Sequence, residues 1–371
     1  MSGLLNKRHL IVMSLVFLFI ITPLWYSYSF YETSNVGEGI VGLSLSKSKL
    51  SEADISFHIV TSMASLKIIV NEIVGNLSIP VDYIIPDGVD PHSYSLTTND
   101  VNKLSSANLL VLADTEHLTI EANMRNYASS AIVLDFVNYT KFGAVMLAIP
   151  GLEHNFHGYW IYPDNSLAIA KAVVVELTSA LPQYKSVFES NYKMFEKRIN
   201  SIKAEFQSIS KRYVLNNTGV VIAVPGAAYF AFSLGFNVCA TIVKGPNRFI
   251  NITELSEIEK NIRDGLIKYV VLPVSLTEAK PGEISNQLSR DTGVTILYVK
   301  LFLIGNFETY SDFMSYNVGY IESQVAHGGG DISASSVNFF LYYFIIGLLT
   351  LISIAEGLII FKYRRIVEEA V

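Results

Sequence analysis

Residues Ile84 to Tyr94 read Ile-Ile-Pro-Asp-Gly-Val-Asp-Pro-His-Ser-Tyr, an apolar strand-like run that stops at a Pro- and Gly-rich turn and delivers one histidine, His92. Neutral imidazole is the commonest protein ligand for a transition metal, and a proline beside the ring restricts where it can point. A histidine on a plain surface loop has the same local appearance. A second stretch, Glu153 to Asn165, carries His154 and His157 ahead of Trp160 and Pro163. Between the two, Asp114-Thr-Glu-His117 follows another apolar run and offers Asp114, Glu116 and His117 either as auxiliary ligands or as a solvated loop. The single Cys239 excludes an intrachain disulfide and any Cys-based zinc cluster, and reads as a small buried hydrophobe.

These residues need a scaffold, and its pattern is alternating strand and helix. Ile55 to Val60 is a β-branched run. Thr61 and Ser62 are expected to open a helix through Leu66, Ile69, Val70 and Ile73, capped by Gly75. The strand ending at Pro86 completes a βαβ unit, whose ligand sites lie at the C-terminal ends of its strands. Thr97 to Asp100 opens a second helix through Leu104 to Ala107, and Asn108 to Ala113 reads as a buried strand. From Tyr184 to Tyr213, Phe188, Tyr192, Phe195, Ile199, Ile202, Phe206, Ile209 and Tyr213 recur at spacings of four and three. That is one continuous helix of about 45 Å at 1.5 Å per residue. Its apolar stripe fits a coiled-coil partner or a helix packed inside the fold. Val220 to Val224, Tyr269 to Leu272 and Val294 to Val299 are later strands.

The chain has 371 residues, half of them apolar, with net charge −6. No Lys/Arg stripe is present to neutralise phosphates, so nucleic acid is not an expected partner. Lys7 and Arg8 precede an apolar run from Leu10 to about Tyr28, so residues 1–31 read as a signal anchor or signal peptide. Residues 327–336 form a Gly/Ser linker into an apolar run, 337–361, long enough to span a bilayer, and basic residues follow it. The expected location is the cell membrane, with the main domain extracellular and the tail 362–371 cytoplasmic. No Gly-x-Ser-x-Gly elbow, phosphate-cradling loop or His-Glu-x-x-His helix is present, so an enzyme is not expected.

The Gly-x-Asp-Pro-His-x-Tyr turn, the helix and strand that follow it, the His157 segment and Tyr310 to Asn317 together resemble the zinc- and manganese-binding solute-binding proteins of ABC importers (cluster A-I type). The resemblance covers about residues 55 to 325. It implies an α/β fold of two similar lobes with parallel sheets, 53–183 and 214–326, joined by one long backbone helix, 184–213, that limits hinge motion. It also implies a divalent cation, zinc or manganese, as transported ligand, His92 and His157 as metal ligands, and an ABC transporter permease as partner. The spacing from His157 to Pro163 is one residue longer than the family pattern, which leaves His154 as the other choice. The family's two second-lobe ligands fall at or beside Pro225 and near Lys300, where neither side chain suits a divalent cation. Water, Asp114, Glu116 or Glu153 would then complete the shell. Alternatives are an anionic or metal-complex ligand anchored by Lys300, or an adhesin that keeps the scaffold.

Overall fold

All five side chains of Ile59–Met63 are buried, the pattern of a parallel strand covered on both faces. This strand, β1, belongs to a computed structural model that describes residues 56–245, 248–302 and 307–326. β1 pairs in parallel with β2 (Val81–Ile85) and β3 (Leu109–Val111), and β4 (Ile132–Leu134) completes a sheet ordered β2-β1-β3-β4. Thr61 and Ser62 belong to β1 and do not open the helix expected there. Thr61 is paired with Tyr83 on one side and Val111 on the other, and this central position in the sheet overrides the local signal for a helix start. Ser56 to His58, expected inside the strand, precede it.

Helix α1 (Ala64–Val74) follows and buries Leu66, Ile69, Val70 and Ile73. Gly75 ends it at φ +60°, and a Cβ there would lie 2.6 Å from Nδ2 of Asn191. That amide donates to the carbonyl of Ile73 at 2.9 Å, so a neighbouring helix caps α1 through the space the glycine leaves. The first half continues with α2 (Thr98–Ser105), α3 (Thr119–Tyr127), α4 (Phe136–Thr140) and α5 (Pro163–Ala180). α2 starts on a capping box in which the Thr97 hydroxyl receives the Asp100 N–H and the Asp100 carboxylate receives that of Thr97.

The periodic stretch is α6 (Lys185–Arg212), a helix of 28 residues, about 42 Å long at 1.5 Å per residue. Phe188, Phe195, Ile199, Ile202, Phe206 and Ile209 are buried, with Tyr192 and Tyr213 partly so. The stripe packs on α1 and α5, on α7 (Ala228–Ser233), and on α10 (Tyr310–Ala326), so both halves of the fold cover it. A coiled-coil partner is not required.

The second half repeats the first. β5 (Gly219–Ile222), β6 (Asn237–Thr241), β9 (Ile267–Pro273) and β10 (Thr295–Val299) form a parallel sheet ordered β10-β9-β5-β6. Read from its other edge this is the order of the first sheet: second strand, first, third, fourth. β7 (Val243–Gly245) and β8 (Arg248–Phe249) are a separate antiparallel pair, and α8 (Ile252–Arg263) and α9 (Lys280–Thr292) complete the half. One core runs from Ile59 through Phe195 to Leu297 and Tyr310, and a smaller one around Val221, Val270 and Leu288 lies within the second half.

A polar knot with Glu72 and Ser311 buried and Arg198 exposed also joins α1, α6 and α10. The Glu72 carboxylate on α1 accepts from Arg198 on α6 and from the N–H (3.0 Å) and hydroxyl (2.7 Å) of Ser311 on α10. Arg198 Nε also donates to the Ser311 hydroxyl at 3.1 Å. Cys239 is half-buried on β6, short of the full burial expected for it, because this strand forms the sheet's edge. The expected segments 1–31, 327–336, 337–361 and 362–371 lie outside the described residues. Among the described residues no helix is long and apolar enough to cross a membrane.

Candidate metal centre

β2 ends at Ile85 and the chain turns through Gly88, φ +77°, to bring out His92. The turn is held from within: the Asp90 carboxylate accepts the His92 N–H at 3.0 Å, and the Asp90 carbonyl accepts the Ser93 N–H at 3.2 Å. Tyr94 donates to Asp100 at 2.9 Å, which fastens the end of the turn to the start of α2. The His92 ring is exposed.

His157 sits in a tighter place. Asn155, fully buried, accepts the His157 N–H at 3.2 Å and donates through Nδ2 to the carbonyl of Pro225 at 2.9 Å. Its own carbonyl accepts from the Tyr229 hydroxyl. The histidine turn is thereby bonded to the loop after β5. Gly226 closes the contact: a Cβ there would stand 3.5 Å from the His157 carbonyl and 3.4 Å from Cδ1 of Leu301. His157 Nδ1 is buried and receives no hydrogen bond. Burial draws the ring's pKa down to about 4; His92 adds to this, Asp90 opposes it, and His117 adds a little more. The imidazole is therefore neutral, the form that coordinates a metal.

The structure brings His92 and His157 together, with ring centroids 6.2 Å apart and planes at 50°. His117 joins them indirectly. Its ring stacks on Phe156 at 4.8 Å, and Phe156 stacks on His157 at 4.1 Å. His117 Nδ1 is hydrogen-bonded to the buried Asp114 at 2.6 Å. Asp114 itself is set by Glu121, whose carboxylate accepts the backbone N–H groups of Ala113 (2.9 Å) and Asp114 (2.6 Å).

Glu116, Glu153 and His154 are exposed and are not gathered around the pair. Among the described residues no three or more His, Cys, Asp or Glu side chains are arranged to hold a metal ion. Pro225 contributes its backbone carbonyl to Asn155. The Lys300 N–H donates to Asn317 Oδ1 at 2.8 Å, and its ammonium lies over Tyr316 (4.5 Å) and Phe307 (5.4 Å). Aromatic faces thus neighbour the Lys300 charge. The residues that sequence reasoning passes over are Asn155 and Phe156. Their position between two histidines is the only local sign, and their roles depend on partners far along the chain.

Two parallel sheets of equal topology and a long helix that packs on helices of both halves accompany a histidine pair carried on loops. The chain matches the family described as zinc-uptake complex component A, periplasmic (ZnuA), over residues 59–324, and it belongs to that family of metal-binding solute-binding proteins of ABC metal importers, not of enzymes. Solved structures share the fold. A ZnuA crystal structure has 17% identity and TM-score 0.59, covering 73% of this chain and 98% of that one. The laminin-binding protein of Streptococcus agalactiae, described as bifunctional with adhesin and metal-transporting activity, has 19% identity and TM-score 0.59, covering 72% and 99%. The Mn-bound periplasmic metal-binding protein of Candidatus Liberibacter asiaticus has 17% identity and TM-score 0.55, covering 72% and 99%. No curated protein sequence matches the chain.

Proposed function

We propose that this protein captures a divalent cation, zinc or manganese, with His92 and His157 as its protein ligands, and presents it to an ABC permease from a membrane-tethered position. The observation that carries the reading is the facing pair of imidazoles, one of them held neutral with a buried, unpartnered nitrogen. Zinc takes an imidazole nitrogen at about 2.0–2.1 Å, which puts each ring centroid about 3.2 Å from the ion and two tetrahedrally placed rings about 5.2 Å apart. The 6.2 Å seen here must therefore close by about 1 Å. The exposed His92 ring can close this distance by rotation of its side chain, while Asn155 and Gly226 hold His157 from the other side. Capture then needs a local shift of one side chain, in keeping with a core that is continuous across both halves.

Tethering by the apolar segments at either end would raise the local concentration beside a permease. The test is titration of the full-length chain with zinc and with manganese, wild type beside His92→Ala and His157→Ala. One-to-one binding weakened at least a hundredfold in each variant is expected. Wild-type affinity in either variant would remove that histidine from the site.

A further inference from the structure

Two imidazoles leave a divalent cation short of ligands, and the surroundings show where the others are not. Three carboxylates of these segments have structural tasks. Asp90 holds its own turn, Asp114 holds His117, and Glu121 holds the backbone at Ala113 and Asp114. The wall facing His157 from the second half is the Pro225-Gly226 turn, packed against the His157 carbonyl and Leu301, with its first carbonyl taken by Asn155. Leu301 is preceded by Lys300, whose ammonium lies over Tyr316 and Phe307. No third or fourth protein donor converges among the described residues.

We propose that the site recognises a cation that arrives already chelated, a metal complex in which a small polydentate carboxylate ligand fills all but two positions and His92 and His157 take those two. This rests on the histidine pair of the preceding section and specifies its substrate. The chemistry is balanced without further groups: two metal–water bonds are exchanged for two metal–imidazole bonds, and the chelator keeps its own. The carboxylates that the protein lacks come with the ligand, and their negative charge offsets that of the cation. Net charge near the site then stays low, which suits a wall built of proline, glycine and leucine. A bare aquo-cation would make the same two-for-two exchange but would keep its full double charge beside two neutral nitrogens, with only water in its other positions.

The probe is zinc nitrilotriacetate, a one-to-one chelate that leaves two positions open, compared with zinc chloride and with nitrilotriacetate alone. Each is titrated calorimetrically into the full-length chain, wild type beside His92→Ala and His157→Ala, and the complexes are weighed by native mass spectrometry. The expected result is at least tenfold tighter binding of the chelate than of the free ion, a mass for chain, zinc and chelator together, and loss of that mass in both variants. Because His92 lies in an exposed turn, His92→Asn serves as a second variant that preserves the fold and should also lose the ternary mass. If zinc chloride binds as tightly as the chelate, with no chelator in the recovered complex, the proposal is overturned and the two-histidine reading survives. If neither form binds, both readings fall. If chelate binding persists in the histidine variants, the ligand is held elsewhere and the proposal fails on its residues.

Discussion

The two halves of this protein have the same sheet order and different chemistry at their strand ends. In the first half the loops beyond the strands carry imidazoles: His92 after β2, and His157 held beside it on a bonded turn. In the second half the matching ends carry Pro225 and Gly226 after β5 and Lys300 after β10. One half offers donors. The other offers a packed wall and a cation lodged on aromatic rings. Strand order is set by burial and hydrogen bonding, which leave the loop residues unconstrained, so a repeated fold need not repeat a site.

The strongest way to break the comparison is to separate the halves. Glu72→Ala removes the acceptor shared by Arg198 and Ser311 across α1, α6 and α10. A loss of about 3 kcal/mol in urea unfolding is expected. An unchanged midpoint would mean that this knot adds nothing to the packing and the other hydrogen bonds that join the halves. Asn155→Ala acts closer to the site. It leaves the Pro225 carbonyl and the His157 N–H without their partner and should cost about 2 kcal/mol. Zinc affinity should fall about tenfold with it; if stability drops while affinity holds, His157 is positioned by its ring contacts and not by this amide.

The asymmetry also has a pH signature. Burial lowers the His157 pKa from 6.5 to about 4, so the unfolded chain takes up a proton there before the folded one does. This histidine's contribution is fully present above about pH 6.5 and is lost as pH falls toward 4. Thermal midpoints of the metal-free protein should decline over that window, and His157→Gln should flatten the decline. An identical profile in the variant would assign the decline to other groups. The smallest effect is on the second-half wall. Lys300→Met removes a cation from the Tyr316 and Phe307 faces and should cost about 1 kcal/mol or less. It should leave zinc affinity within about threefold, and a larger gain would show that the lysine charge reaches the cation.

Much of this arrangement is legible along the chain. The α6 stripe, the βαβ start and the Pro-His turn each depend on local spacing, and local spacing survives folding because hydrophobic period and turn chemistry act over a few residues. The strand that claims Thr61 and Ser62 is an exception of instructive kind: a central position between two partners outweighed the helix start that the local sequence favours.

What tertiary structure alone decided is which groups meet. That His92 faces His157, and that Phe156 stands between His157 and His117, follows from loops brought together by two sheets and shows in no sequence interval. The same holds for Asn155 reaching Pro225, and for Glu72 joined to Arg198 and Ser311. Residue types set which interactions are available, while the pairing of partners seventy or more positions apart is settled only when the core forms and buried polar groups must find one another.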